Sequence, residues 1–198
     1  MNVTTGATRT TYTPQEYLAR ERLAETKSEY RYGQIVAMSG ASRRHNLIAL
    51  NLGRELSLQL RGGSCETYVA DMRVKVSPTG LYTYPDVVVA CGEIRFEDSH
   101  IDTLLNPTVL VEVLSPSTEA YDRGEKFDHY RRLDSLREYV LVSQDLMRVE
   151  RYARQGDDWE RTELSRPDDV LTIEAIGCTI RLDDVYERVA FPRDTGPA

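Results

Sequence analysis

Two runs constrain this chain more than anything else in it: "DVVVAC", beginning at Asp86, and "TVLVEVL", beginning at Thr108. Neither alternates apolar with polar residues, and both are too short and too β-branched for a buried helix. Such runs fit strands covered on both faces, so the fold is organised around an interior sheet with layers on either side. Each run carries one carboxylate. Asp86 stands at the mouth of the first, behind Pro85, which supplies no ladder donor and marks where pairing begins. Glu112 sits in the middle of the second, on the face it shares with Leu110 and Leu114. An ionised carboxylate in a covered strand is costly unless a cation or several donors compensate it. A structural arginine partner is one solution, since the chain holds 22 arginines. A divalent ion shared with Asp86 is the other.

The sequence around these runs predicts a mixed α/β (α+β) fold. "TPQE", Thr13 to Glu16, reads as a capping box opening a helix to about Thr26. "EYRYGQIVAM" reads as a hairpin turning at Gly33-Gln34. From Arg43 to about Leu60, Ile48, Leu52 and Leu56 recur every four residues as the buried stripe of a helix, with His45 on the same side. Strands are expected at Glu66 to Ala70 and Met72 to Val76. The polar stretch "GEIRFEDSHIDTLLN" is expected as a connecting loop. A helix over Gly124 to Leu133, facing inward with Phe127, Tyr130 and Leu133, leads to a strand at "EYVLVS". A terminal hairpin and a short closing helix complete a single domain over 198 residues, its core about 43–145.

Charge is unevenly placed. The net charge is −7, against bulk electrostatic binding of nucleic acid, and residues 81–130 hold 3 basic against 10 acidic side chains. An acidic cluster repels phosphate unless a cation intervenes. The three cysteines, Cys65, Cys91 and Cys178, are odd in number and far apart, matching neither a disulfide framework nor a zinc motif, and suggest a reducing cytoplasm. No apolar stretch approaches the length of a membrane span.

"YPD", "VEVLSPST", "YDRGEKFDHYRRL" and "EYVLV" together resemble the Uma-two family of restriction-endonuclease-like proteins, within the PD-(D/E)XK nuclease superfamily. The similarity extends from "EYRYGQIVAMSGAS" to "LDDVYERV". The resemblance implies a core of helix, three strands, helix and strand, with an N-terminal helix and hairpin outside it. It puts Asp86 on the second core strand and Glu112 on the third. One position departs from the superfamily pattern: Leu114 stands where a lysine usually follows the glutamate. Some members carry that lysine on the next helix, where this chain has Lys126; Lys75 is the competing candidate.

The function implied is a Mg²⁺- or Mn²⁺-dependent endonuclease acting on DNA. Asp86, Glu112 and the carbonyl of Val113 are the expected metal ligands, and Lys126 completes the catalytic set. His45 and Ser117 are candidates for substrate contacts. Glu29, Asp71 and Asp122 are weaker candidates for the metal site. Cleavage of both strands implies a homodimer. The alternative is an inactive nuclease fold that binds nucleic acid or a protein partner.

Overall fold

This computed structural model describes residues 10–191. The chain opens with α1 (Pro14–Glu21), β1 (Ser28–Arg31), β2 (Gln34–Ala37) and α2 (Arg43–Gln59). Five strands follow, β3 (Cys65–Val69), β4 (Arg73–Val76), β5 (Leu81–Thr83), β6 (Val87–Cys91) and β7 (Thr103–Leu104), and then β8 (Val109–Leu114). Two short helices, α3 (Glu119–Arg123) and α4 (Glu125–Tyr130), precede β9 (Glu138–Ser143), β10 (Val149–Gln155) and β11 (Asp158–Leu164). The last elements are β12 (Val170–Ile173), β13 (Cys178–Arg181) and α5 (Leu182–Val185).

The large sheet has the order β11-β10-β9-β8-β6-β3, with β8 antiparallel to β6 and parallel to β9. The expected core of helix, three strands, helix and strand is therefore α2, β3, β6, β8, the α3–α4 pair and β9. Both apolar runs are interior strands, as their composition demands, and every residue of β8 is buried. Alternation divides the core. Val87, Val89, Val111 and Val113 meet Ile48, Leu52 and Leu56 of α2, together with β12, β13 and α5. Val88, Ala90, Leu110 and Leu114 meet Phe127, Tyr130 and Leu133, with Val74, Val76 and Leu81 from the second sheet. Each such aliphatic residue contributes about 1.5–3 kcal/mol when fully covered.

The second sheet has the order β2-β1-β5-β4-β7. It is anchored by three tyrosines, Tyr17, Tyr30 and Tyr82, whose ring centroids lie 5.2–5.8 Å apart. This sheet carries β1 to the large sheet's site.

Several local expectations need correction. The capping box is present, but α1 ends at Glu21 because the Glu21 carboxylate takes the Ser28 N–H and turns the chain into β1. The hairpin turns at Tyr32-Gly33, one residue earlier than expected; both have positive φ, 49° and 75°, which a two-residue turn between twisted strands requires. The polar connection contains β7, which pairs with β4. The helix expected over Gly124 to Leu133 is present as α4 but ends at Tyr130, and an unexpected helix, α3, precedes it; the two are separated at Gly124, where a Cβ would meet the Ala120 carbonyl at 3.2 Å.

The cysteine reading is also overturned. Cys65 and Cys91 are 26 residues apart in sequence but directly opposite in the β3–β6 ladder, and they form a disulfide. Cys178 is free and buried. Among the described residues no helix is long and apolar enough to cross a membrane.

Candidate active site

The register of β6 against β8 pairs Val87 with Val111 and Val88 with Leu110. Continued by one residue, it sets Asp86 opposite Glu112, whose side chain lies on the α4 side of the sheet beside Lys126 and Tyr130. Asp86 immediately precedes the first residue of β6, and its side chain takes over the ladder: the Val113 N–H donates to Asp86 Oδ2 at 2.7 Å. His45, from the first turn of α2, brings Nε2 to 3.2 Å from the same oxygen. Both contacts fall on Oδ2. Among the described residues, Oδ1 accepts no hydrogen bond.

Glu112 is nearly as one-sided. Tyr130 donates its hydroxyl to Oε1 at 2.8 Å, and Lys126 Nζ approaches the same oxygen at 3.3 Å. No hydrogen bond falls on Oε2 from any described residue. Lys126 also lies 2.8 Å from Asp122 Oδ1 and 3.3 Å from Glu29 Oε1. Glu112, Asp122, Glu29 and Lys126 are all buried. Gly124, the break between α3 and α4, falls between Asp122 and Lys126, and both side chains point into the cluster.

The electrostatics of this cluster are unbalanced. Burial raises the Glu112 carboxyl well above its usual range; Lys126 opposes the shift, while Asp122 and Asp86 reinforce it. Burial works against the charge on Lys126, but Glu112, Glu29 and Asp122 outweigh it and hold the ammonium well above its ordinary value. Tyr130 is likewise raised, first by burial and then by Glu112. One lysine thus faces three buried carboxylates, with Asp86 at the rim. Asp122 Oδ1 is buried, with the Lys126 ammonium 2.8 Å away as its ion-pair partner.

This donor set fits a hard divalent cation, which favours oxygen ligands and offsets excess negative charge. Asp86, Glu112 and the Val113 carbonyl are the groups that would hold it. Among the described residues no three His, Cys, Asp or Glu side chains converge as a ready-made metal cluster. A shell from two carboxylates and a carbonyl would therefore be completed largely by water, as Mg²⁺ tolerates.

The other candidates are spread out. Lys75 pairs with Glu97 and lies over the Tyr82 ring on the second sheet, away from Glu112. Asp71 is exposed and pairs with Lys27 at 2.9 Å. Ser117 is exposed, and its hydroxyl meets Ser115 Oγ at 3.1 Å within the turn before α3. Glu29, a minor candidate in the sequence, sits inside the cluster. It arrives on β1 through the pairing of Tyr30 with Tyr82, and Thr83 donates its hydroxyl to Glu29. Its only sequence signal was a carboxylate next to Tyr30 on the first arm of the expected hairpin. Tyr130 was read as core and also serves Glu112.

A sheet edge bearing opposed carboxylates and a helix-borne lysine, within this order of elements, defines a restriction-endonuclease-like nuclease fold. A crystal structure of a putative nuclease belonging to DUF820, from Anabaena variabilis, superposes with a TM-score of 0.70 over 88% of this chain and 97% of that one, at 18% identity. The chain belongs to the Uma2 family, described as "Putative restriction endonuclease", whose model matches residues 14–183. Two Synechocystis proteins, the uncharacterized proteins sll1609 and slr1290, are 41% and 38% identical to it. The first alignment covers 80% of this chain and 90% of the relative, the second 90% and 93%.

Proposed function

We propose that this protein is a metal-dependent endonuclease that hydrolyses DNA phosphodiester bonds. The observation that carries the reading is the opposition of Asp86 and Glu112, each with one carboxylate oxygen engaged and the other without a hydrogen bond, beside a buried lysine outnumbered by carboxylates. A bound Mg²⁺ or Mn²⁺ supplies Lewis-acid polarisation of the phosphate and a more acidic water.

The protein's own groups do the rest. The Val113 N–H and His45 hold Asp86 in one orientation, and Tyr130 does the same for Glu112. Lys126, a compact cation held charged by its neighbours, stabilises negative charge developing on the attacking water or the scissile phosphate. Leu114 packs into the apolar cluster with Phe127, so the cation reaches the site from α4 and not from β8. The same reading takes the protein to act as a homodimer, with one site for each strand of a duplex.

The test is incubation of purified protein with plasmid and single-stranded DNA in Mg²⁺ or Mn²⁺, with Asp86→Ala as control. Metal-dependent nicking lost in the variant is expected. A second reading, an inactive nuclease fold that binds a partner, is favoured by the departure at Leu114. Calorimetry with Mn²⁺ separates the two, since the binding-only protein needs no metal site.

A further inference from the structure

The β1–β2 hairpin carries an oddity that the catalytic reading does not use. Tyr32, at its tip, is 70% exposed and adopts φ 49°, a conformation rare for a bulky residue and better suited to Gly or Asn. Its ring is nevertheless held: the Tyr32 hydroxyl lies 3.2 Å from His129 Nε2, and the two ring centroids are 5.6 Å apart. His129 is buried on α4, so the tyrosine is an outward-facing aromatic plate fixed along one edge.

That plate borders a cleft of about 400 Å³ lined by Thr11, Arg31, Tyr32, Gln34, Val36 and Glu125. The cleft adjoins the catalytic cluster through both walls. Arg31 is two residues beyond Glu29 on β1, hence on the same face and about 7 Å further along. Glu125 immediately precedes Lys126. Arg31 also stacks over the Tyr121 ring at 4.5 Å, and Lys126 lies over that ring at 5.2 Å, so Tyr121 is shared by cleft and site. Arg31 and Glu125 are 3.9 Å apart, a loose pair that leaves both partly solvated.

We propose that this cleft binds an unstacked base of single-stranded DNA next to the phosphate that is cut. The inference rests on the nuclease reading of the adjoining cluster. Tyr32 supplies a stacking face, which accepts every base. Arg31 meets the phosphate of the same nucleotide. Glu125 repels phosphate but accepts a hydrogen bond from an exocyclic amine, so the base and not the backbone enters the cleft. A duplex keeps its bases stacked and presents none to such a plate.

The experiment is fluorescence anisotropy with a labelled single strand of about 12 nucleotides, within the usual site size of single-strand binders, and with the matching duplex. Ca²⁺ replaces Mg²⁺ throughout. Tyr32→Asn suits the left-handed turn and removes the ring, whereas Tyr32→Phe keeps it. The expected result is single-strand affinity about tenfold weaker in Tyr32→Asn, little changed in Tyr32→Phe, with a smaller effect on duplex and unchanged Mn²⁺ binding by calorimetry. Equal single-strand affinity in wild type and Tyr32→Asn, or no single-strand binding by wild type, overturns the proposal. Tyr32-dependent binding with no cleavage of any DNA in Mg²⁺ or Mn²⁺ sustains the cleft and removes the nuclease reading.

Discussion

Asp86 and Glu112 stand opposite each other just before β6 begins, where β8 continues past the paired residues, and the Asp86 carboxylate fills the gap by accepting the Val113 N–H at 2.7 Å. The residue is both the terminus of a ladder and a proposed metal ligand. These roles separate in Asp86→Asn. An amide oxygen still accepts the Val113 N–H but is a weaker ligand for a hard cation. Cleavage should fall to background and Mn²⁺ affinity by more than about tenfold, while stability changes by no more than about 1 kcal/mol. Nicking assays, calorimetry and thermal unfolding measure the three. A large loss of stability with intact metal binding would make Asp86 a ladder residue only.

The two lysine candidates should behave differently. Lys126→Met leaves Glu112, Asp122 and Glu29 buried without their cation, a change that costs about 3–5 kcal/mol where no other ion compensates. Divalent metal should restore part of that stability but not the cleavage. Lys126→Arg should also lose cleavage, because a planar fork does not fit a space shaped for a point charge. Lys75→Met loses a pair with Glu97 on the second sheet and should cut DNA at close to the wild-type rate. Near-wild-type cleavage by Lys126→Met would remove that residue from the mechanism.

What the sequence disclosed follows from how local each signal is. Asp86 and Glu112 were legible because uninterrupted apolar strands make any carboxylate conspicuous, and Lys126 because the family resemblance points to a lysine on the following helix, where it is one of only three in the chain. Glu29 was harder to weigh. It belongs to a hairpin of a different sheet, and its place depends on the β1–β5 pairing, which no local pattern encodes. The β7 strand was hidden for a similar reason: two residues added parallel to β4 have no periodicity to detect. The boundary at Gly124 was legible, but α3 before it was not: Glu119–Arg123 is only five residues long, and the need to bring Asp122 beside Lys126 is a tertiary demand.

Acid stability should depend on Asp102, remote from the site. Arg22 holds its carboxyl well below the usual carboxylate range, with burial opposing and Arg73 assisting; Arg22 Nε and Arg73 Nη2 both lie 2.8 Å from Oδ2. A lowered folded-state value means stabilisation that is present above the unfolded carboxyl's value, about 3.9, and lost as pH falls through the folded one. Asp102→Asn should cost about 1 kcal/mol at neutral pH, allowing for its partial exposure, and make unfolding less steep below about pH 4. Denaturant titrations at several pH values check this. An unchanged acid limb would assign the acid sensitivity to other carboxylates.

The last prediction concerns Cys65 and Cys91, whose pairing follows from register. Cys65 faces Cys91 across the β3–β6 ladder, with their Cα atoms 4.0 Å apart, while Cys178 is buried on β13. Closing a loop of this size restricts the unfolded chain and stabilises the fold by about 3.5 kcal/mol in the chain-entropy model. The bond ties the edge strand β3 to β6, but it lies at the opposite end of β6 from Asp86. Reduction should therefore lower the unfolding midpoint and leave metal binding and cleavage intact at ambient temperature. Alkylation of the denatured protein should label Cys178 alone without reductant and all three cysteines with it. Labelling of Cys65 and Cys91 in unreduced protein would mean that the thiols lie side by side unbonded, in keeping with the reducing compartment that the sequence suggested.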